Sequence, residues 1–232
     1  MTDATARLDA VRARVEAAAL RAGRDPSAVT VVGVSKRKPA KAVEALIRAG
    51  IHHLGENYVQ ESQGKIPEVH GRLEPNLLPR WHFIGQLQRN KARHVARLFD
   101  MVETVDRPAL GTELDRRAGQ AGRRLSILLQ VNVCDEPQKG GVAPAELPAL
   151  LEVSKAWTHL ELRGLMAIPA ATPDPEGSRA AFARLRKLRD RHARDFPGLT
   201  ELSMGMSADF EVAIEEGATM VRIGTALFGP RD

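Results

Sequence analysis

A regular alternation of short apolar segments with amphipathic helical segments is the feature that most constrains the fold of this 232-residue chain. Eight apolar segments have the length and the Val, Ile and Leu content of buried strands, and each of the first seven is clearly followed by a helical pattern. Eight strand–helix units in roughly 250 residues are typical of a (β/α)8 barrel. We therefore predict an α/β fold, a (β/α)8 TIM barrel, that forms a single domain over residues 1–232.

The bounds of the predicted elements follow from the same patterns. Predicted strands cover residues 29–35, 51–54, 81–84, 101–105, 125–133, 160–168, 200–203 and 220–223. Predicted helices cover residues 3–22, 39–49, 58–66, 89–99, 107–121, 144–157, 176–195 and 208–216, and the first of them is an extra helix that precedes the barrel. Residues 67–79 contain three prolines and are predicted to form a loop. A doubly wound sheet is the alternative fold, but no Gly-x-Gly-x-x-Gly turn follows the first strand.

The composition favours a soluble globular protein. Hydrophobic residues make up 43% of the chain, and the single cysteine, Cys134, excludes an internal disulfide and a cysteine-based zinc cluster. Every apolar run is shorter than the roughly 20 residues of a membrane-spanning helix, and the N-terminal segment has no signal-peptide core. We therefore predict a cytoplasmic protein that does not associate with membranes.

The formal net charge of +5 raises the question of nucleic-acid binding. Acidic and basic residues are interspersed along helical segments such as 184–195, and no aromatic residues alternate with basic ones as they do on surfaces that stack bases. We predict no nucleic-acid binding. Steeply salt-dependent binding to DNA or RNA would indicate the opposite.

Lys36 directly follows the first predicted strand, where the chain leaves the apolar core. Desolvation favours the neutral form of a lysine amine, and a neutral amine can attack an aldehyde to form a Schiff base. The alternative is a solvated lysine that begins a loop, which is the usual environment of lysine. Because the C-terminal ends of all strands in a barrel point to one face, polar residues just after other strands would meet Lys36 there.

Two of these strand ends resemble a phosphate site. Barrels often bind phosphate at the loops after strands seven and eight, where backbone N–H groups point at the anion. Ser203, Ser207 and Thr225 could add hydroxyl donors, and Gly224 allows close approach of the backbone. The alternative is that these residues are helix N-caps and a turn glycine.

Arg222 lies on the eighth predicted strand among apolar residues, so it needs a partner. That partner would be a carboxylate such as Glu201 or an acceptor on a ligand. A lysine, a phosphate site and an inward arginine on one barrel together indicate a phosphorylated aldehyde. Pyridoxal 5'-phosphate (PLP) fits all three, since the arginine can face its ring nitrogen.

Six ordered motifs across nearly the whole chain resemble those of the pyridoxal phosphate homeostasis protein family. They are Val34-Ser-Lys36 with Pro39, Gly55-Glu-Asn-Tyr-Val-Gln-Glu61, His82-Phe-Ile-Gly-Gln-Leu-Gln-Arg-Asn-Lys91, Asn132 with Glu136 and Lys139-Gly140, Leu202-Ser-Met-Gly-Met-Ser207, and Val221-Arg-Ile-Gly-Thr225 with Phe228-Gly229. The sequence does not depart from the family pattern at these positions.

The resemblance implies a fold like the N-terminal barrel of bacterial alanine racemase and a function in controlling free PLP. It implies that Lys36 is the Schiff-base lysine, that Arg222 lies near the pyridine nitrogen and that Asn57 lies near the ring hydroxyl. It places Ser203, Gly224 and Thr225 about the phosphate. It further implies reversible PLP storage without robust catalysis, PLP-dependent apo-enzymes as acceptors, and a monomer. No metal site is expected.

A small PLP-dependent amino-acid racemase is the alternative function. A racemase needs a second base on the opposite face of its substrate, and in alanine racemases a tyrosine supplied with a second, β-rich domain has that role. We expect no such domain here. The second base would therefore be His82, Cys134 or a residue of a partner chain, whereas His82 could equally be a buried core histidine.

Overall fold

The computed structural model describes residues 3–134, 136, 139–170 and 172–229, and its eight parallel strands close into a barrel. The strands are β1 Thr30–Val34, β2 His53–Glu56, β3 Arg80–Phe83, β4 Met101–Val105, β5 Leu125–Gln130, β6 Leu160–Met166, β7 Glu201–Met206 and β8 Met220–Ile223. Each strand pairs with its neighbours in the sequence, and β1 pairs with β8 to close the barrel. This confirms the predicted (β/α)8 fold.

Helices surround the barrel. They are α1 Asp3–Arg21, α2 Ala40–Arg48, α3 Val59–His70, α4 Ala92–Leu98, α5 Pro108–Gln120, α6 Leu147–Ser154, α7 Arg179–His192, α8 Phe210–Glu215 and α9 Thr225–Phe228. The extra helix α1 buries one apolar stripe against α8 and α9, and Arg14 forms an ion pair with Glu211 of α8 at 3.0 Å.

The strands divide the core in two, because successive side chains point alternately into the barrel and toward the helices. The larger cluster lies between the barrel and the helices. The interior holds a small apolar cluster of Val32, Met101, Leu128, Met166 and Met220. Glu103 and Arg222 lie two residues beyond Met101 and Met220 and are also buried, so the next layer toward the C-terminal ends of the strands is polar.

The predicted loop over residues 67–79 is wrong at its start, because α3 continues through Pro67 to His70. Proline removes one helical hydrogen bond. Two contacts hold the final turn in place nevertheless: Val69 is fully buried, and the indole N–H of Trp81 donates to His70 Nε2 at 2.9 Å. Short helices at Pro26–Ala28, at Pro75–Leu77 inside the predicted loop and at Thr225–Phe228 (α9) were not predicted. The remaining differences lie at element ends; β5, for example, ends at Gln130 and not at residue 133.

Candidate functional site

Lys36 lies in the turn that follows β1, at the edge of a cavity of about 600 Å³. The cavity opens at the C-terminal ends of β1, β7 and β8. Its lining includes Lys36, Pro39, Met206, Ser207, Arg222, Gly224, Thr225 and Phe228. The closed barrel therefore brings together five of the seven predicted site residues, which are separated in sequence by up to 189 positions as the difference between 36 and 225.

The loops after β7 and β8 meet at one side of this cavity. The backbone N–H of Gly224 donates to Ser207 Oγ at 3.4 Å. The carboxylate of Asp209 already accepts two hydrogen bonds, from the Met206 N–H at 2.7 Å and from the Ser178 hydroxyl, just before α7, at 3.0 Å. Hydroxyl and backbone donors are thus available to an anion here.

Arg222 is 4% exposed, and its guanidinium is held from below the cavity. Nη1 donates to Ser203 Oγ at 2.7 Å, and Nη2 donates to the carbonyl oxygen of Ala167 at 2.9 Å. Glu201, the carboxylate suggested from the sequence as a partner of Arg222, does not have that role: its Oε2 accepts from the Thr219 hydroxyl at 2.6 Å. Glu103 is the carboxylate that faces Arg222, with 4.0 Å between Oε2 and Nη1.

A hydrogen-bonded chain continues from Arg222 through the barrel interior. Glu103 accepts from the Ser203 hydroxyl at 2.5 Å through Oε2, and its Oε1 lies 2.7 Å from His82 Nδ1. His82 Nε2 lies 2.9 Å from His53 Nδ1. We call Arg222, Ser203, Glu103, His82 and His53 the inner chain.

The inner chain has a definite charge arrangement. Burial alone would raise the pKa of Glu103, but hydrogen bonds from His82 and Ser203 and the charge of Arg222 outweigh it, so the pKa is lowered. Burial, with the neighbouring His82, lowers the pKa of His53 to about 4. The inner chain therefore places the Arg222 guanidinium beside an ionised Glu103 and ends in His53, which is neutral at physiological pH.

A second buried group of charges lies on the outer side of the barrel, under α3. Lys65 is 7% exposed, and its Nζ donates to the Ser35 carbonyl at 2.7 Å, to Glu56 Oε1 at 2.7 Å and to Glu61 Oε1. The Ser35 hydroxyl donates to the same oxygen of Glu56 at 2.7 Å. We call Ser35, Glu56, Glu61 and Lys65 the outer cluster. Burial raises the pKa of Glu56 against the opposing charge of Lys65.

Ser203 and Asn57 are the two predicted site residues outside the lining of the cavity. Ser203 is fully buried between Arg222 and Glu103. Asn57 follows β2, and its Oδ1 is buried without a hydrogen-bond partner in the described part of the chain. The backbone of Asn57 packs so closely on Gly85 that a Cβ there would lie 2.1 Å from the Asn57 carbonyl oxygen.

The partners that hold these residues were not predicted from the sequence. Glu103 and Lys65 had no predicted role, and Glu56 and Glu61 entered only as members of the motif Gly55-Glu-Asn-Tyr-Val-Gln-Glu61. A signal for Glu103 was present: a carboxylate stands inside the apolar strand Met101–Val105, just as Arg222 stands inside β8. Two opposite charges on buried strands of one sheet are natural partners.

Metal-ligand clusters and membrane-spanning helices are both absent from the described part of the chain. No group of three or more His, Cys, Asp or Glu side chains among residues 3–134, 136, 139–170 and 172–229 could hold a metal ion. None of the helices within those ranges has the length and apolarity required to cross a bilayer.

Residues 6–232 match the family model described as alanine racemase, N-terminal domain. An alanine racemase from Clostridium difficile superimposes with a TM-score of 0.75 over 99% of this chain and 57% of that chain, at 13% identity, which shows the shared fold. Fold and family model together define the chain as a barrel of the alanine racemase N-terminal-domain type.

Relatives of higher sequence identity identify the family within this class. A pyridoxal phosphate homeostasis protein of Pseudomonas aeruginosa is 49% identical over 96% of this chain and 93% of its own length. PipY of Synechococcus elongatus, whose structure was solved with PLP bound, has a TM-score of 0.84 and 38% identity, and the match covers 98% of this chain and 100% of PipY. The chain belongs to the pyridoxal phosphate homeostasis protein family, which confirms the resemblance carried by its motifs.

Proposed function

We propose that this chain binds PLP in the cavity at the C-terminal end of the barrel, as a Schiff base with Lys36, and holds it reversibly as part of intracellular PLP homeostasis. The observation that carries this proposal is the meeting of Lys36, Arg222 and the loops after β7 and β8 around one cavity of about 600 Å³. Cavities that bind small molecules usually measure about 300–1,000 Å³. The PLP bound in the related PipY supports the same ligand here.

The cofactor supplies an aldehyde, and Lys36 supplies the nucleophile. Lys36 Nζ would form the imine with that aldehyde, and the carbonyl oxygen would leave as water together with the two amine hydrogens. Hydrolysis would return the free amine and the aldehyde, so neither direction needs an oxidant or a reductant. Lys36 is partly exposed at the cavity edge, so water can reach the linkage, as reversible holding requires.

The donors on the other side of the cavity suit a phosphate. The 3.4 Å contact between Gly224 N–H and Ser207 Oγ is at the long limit of a hydrogen bond, so the hydroxyl can rotate toward an anion and the N–H stays available to it. The Thr225 hydroxyl adds a further donor. We assign Ser203 to holding Arg222, since its hydroxyl lies between Arg222 and Glu103. The unpartnered Oδ1 of Asn57 supports the proposed contact with the ring hydroxyl.

We also propose that the bound cofactor undergoes little or no catalysis. A guanidinium facing the pyridine nitrogen disfavours protonation of that nitrogen, and an unprotonated ring is a poorer electron sink. His82, one candidate for the second base of a racemase, is 1% exposed and lies between Glu103 and His53, outside the lining of the cavity. Incubation of the loaded protein with L-alanine in deuterated water should give no enzyme-like exchange at Cα; rapid exchange would favour the racemase.

An absorption spectrum tests the binding proposal. Added PLP should produce a near-visible band, and borohydride reduction should fix the cofactor on the peptide that contains Lys36. Lys36→Ala should abolish the band, whereas Lys155→Ala, at an exposed lysine paired with Glu152, should leave it unchanged. A colourless protein after soaking, or a label on another lysine, would overturn the proposal.

We propose finally that the chain acts as a monomer and that its stored PLP serves PLP-dependent apo-enzymes. The open cavity edge at Lys36 supports release to an acceptor. Loaded protein should restore the activity of an apo-transaminase faster than hydrolysis alone releases PLP, and light scattering should give the mass of one chain. Equal rates would show that no acceptor is involved in release.

A further inference from the structure

The outer cluster contacts the main chain on both sides of Lys36. Before it in sequence, the Ser35 carbonyl accepts from Lys65 Nζ at 2.7 Å and the Ser35 hydroxyl donates to Glu56. After it, the backbone N–H of Arg37 donates to Glu61 Oε1 at 2.6 Å. Lys65 joins the two carboxylates. One buried ammonium thus connects the two peptide groups that flank Lys36.

The backbone of the turn that contains Lys36 has an unfavourable conformation at Arg37. Arg37 has a φ of 59°, in the left-handed region that residues other than glycine rarely adopt. Such a conformation persists only where surrounding contacts enforce it, and it often occurs at functional sites. Two contacts hold it here: the Lys38 N–H donates to the Ser35 carbonyl at 3.0 Å across the turn, and the Arg37 N–H donates to Glu61. The outer cluster binds both the Ser35 carbonyl and the Arg37 N–H, so it helps to set the direction in which Lys36 leaves the strand.

Apolar packing already attaches α3 to the core without the outer cluster. Val59, Ile66 and Val69 are buried apolar residues on that helix and attach it to the core. A buried ion pair generally contributes little to stability compared with apolar side chains of the same size, because desolvation offsets the attraction. A buried lysine with two carboxylates under α3 is thus poorly explained by stability alone.

We propose that Lys65, Glu56 and Glu61 are positioning residues that aim the Lys36 amine into the cavity. The proposal rests on the proposed function, because it concerns how fast and how favourably Lys36 attacks the PLP aldehyde. Lys65 does not itself provide a second attachment site. It is 7% exposed, and its ammonium already donates to three oxygens in the outer cluster.

The test separates attack by Lys36 from occupation of the cavity. The rate of appearance and the final amplitude of the near-visible band, followed by stopped flow after mixing with PLP, report on Lys36. The dissociation constant of pyridoxine 5'-phosphate, which carries an alcohol in place of the aldehyde, reports on the cavity alone. The variants are Lys65→Met and Glu61→Ala, with Lys155→Met as the control at an exposed, ion-paired lysine.

We expect Lys65→Met to slow formation of the Schiff base by about tenfold and Glu61→Ala by about threefold, since small misalignments of a nucleophile have effects of this size or larger. The affinity for pyridoxine 5'-phosphate should remain within twofold in both variants, and Lys155→Met should match the wild type. Rates within twofold of the wild type would overturn the proposal, as would a parallel loss of affinity for the alcohol. If Lys65→Met does not fold, Glu61→Ala decides by the same criteria. Failure of the wild type to form the band would instead overturn the proposed function.

Discussion

The inner chain and the outer cluster are two buried groups of charges that hold parts of the same cavity, the first at Arg222 and the second at the turn of Lys36, and they differ in charge balance. In the inner chain a single guanidinium, Arg222, faces a single carboxylate, Glu103. In the outer cluster a single ammonium, Lys65, faces two carboxylates, Glu56 and Glu61. Within the inner chain Glu103 is the one carboxylate that acts on Arg222, and Asp209 acts on it from outside the inner chain, whereas the outer cluster has one carboxylate more than its cation requires.

The pKa shifts of the two fully buried glutamates follow this difference. Burial opposes ionisation of both, but His82, Ser203 and Arg222 overcome it at Glu103, whose pKa is lowered. At Glu56 burial dominates, and the pKa is raised although Lys65 lies 2.7 Å away. Ionisation of Glu103 therefore stabilises the native fold, while ionisation of Glu56 works against it.

The largest expected effect is that of Glu103→Gln. This change leaves the buried guanidinium of Arg222 without its counter-ion, and uncompensated buried charges cost about 3–5 kcal/mol. We expect the free energy of unfolding, measured in urea without PLP, to fall by that amount. A loss below about 1 kcal/mol would show that Asp209 or solvent neutralises Arg222 and would remove the contrast between the two groups.

A smaller loss is expected when both members of the inner pair become apolar. In Glu103→Leu combined with Arg222→Met no buried charge is left unpaired, and such replacements are often neutral or stabilising. The hydrogen bonds of Ser203 and His82 to Glu103 are lost as well, so we expect stability within about 2 kcal/mol of the wild type. The same urea measurement checks this, and a double variant less stable than Glu103→Gln would contradict it.

The sequence predicts those features that local patterns encode, namely the elements and the residues at their ends. Local periodicity predicts strands and helices, and the barrel geometry then places every strand end on one face. Lys36, Ser207, Gly224 and Thr225 could therefore be placed in one cavity from their positions after strands. The element ends were less certain, because contacts such as the one between Trp81 and His70 extend α3 beyond a proline.

The partners of Arg222 and of the Lys36 turn depend on contacts that no local pattern encodes. The hydrogen bond between Ser203 and Glu103 joins residues 100 positions apart, and the one between Lys65 and Ser35 joins residues 30 apart. The choice of Glu103 over Glu201 depends on which side of each strand faces inward and on the irregular register between β7 and β8. Only the closed barrel fixes those relations.

The far end of the inner chain should make stability depend on pH. His53 has a native pKa of about 4, below its ordinary value of 6.5, so the unfolded chain binds the proton more readily between these values. Its contribution is therefore present above about pH 6.5 and is lost as the pH falls toward 4. One proton accounts for a slope of at most about 1.4 kcal/mol per pH unit, and the partial exposure of His53 reduces it.

His53→Asn should flatten the dependence of the unfolding free energy on pH between 6.5 and 4. The control is His52→Asn, because His52 is the exposed neighbour on the same segment. Urea unfolding at half-unit steps of pH measures both. If His53→Asn and the wild type show the same slope, the inner chain does not hold His53 in its neutral form.

The smallest effect on the free energy of unfolding is expected from Glu56→Gln. This variant compares Glu56, beside Lys65, with Glu103, beside Arg222. The amide oxygen still accepts from Lys65 and Ser35, Glu61 still balances the ammonium, and the cost of burying an ionised Glu56 disappears. We expect a change in the free energy of unfolding below about 1 kcal/mol at neutral pH.

The effect of Glu56→Gln should also depend on pH. Because the native pKa of Glu56 is raised, its stabilising contribution is present below pH 4.5 and is lost as the pH rises through the native pKa. The variant should therefore gain stability relative to the wild type in urea unfolding as the pH rises above 4.5. A loss as large as that of Glu103→Gln, or the opposite trend with pH, would show that Glu56 is as necessary to Lys65 as Glu103 is to Arg222.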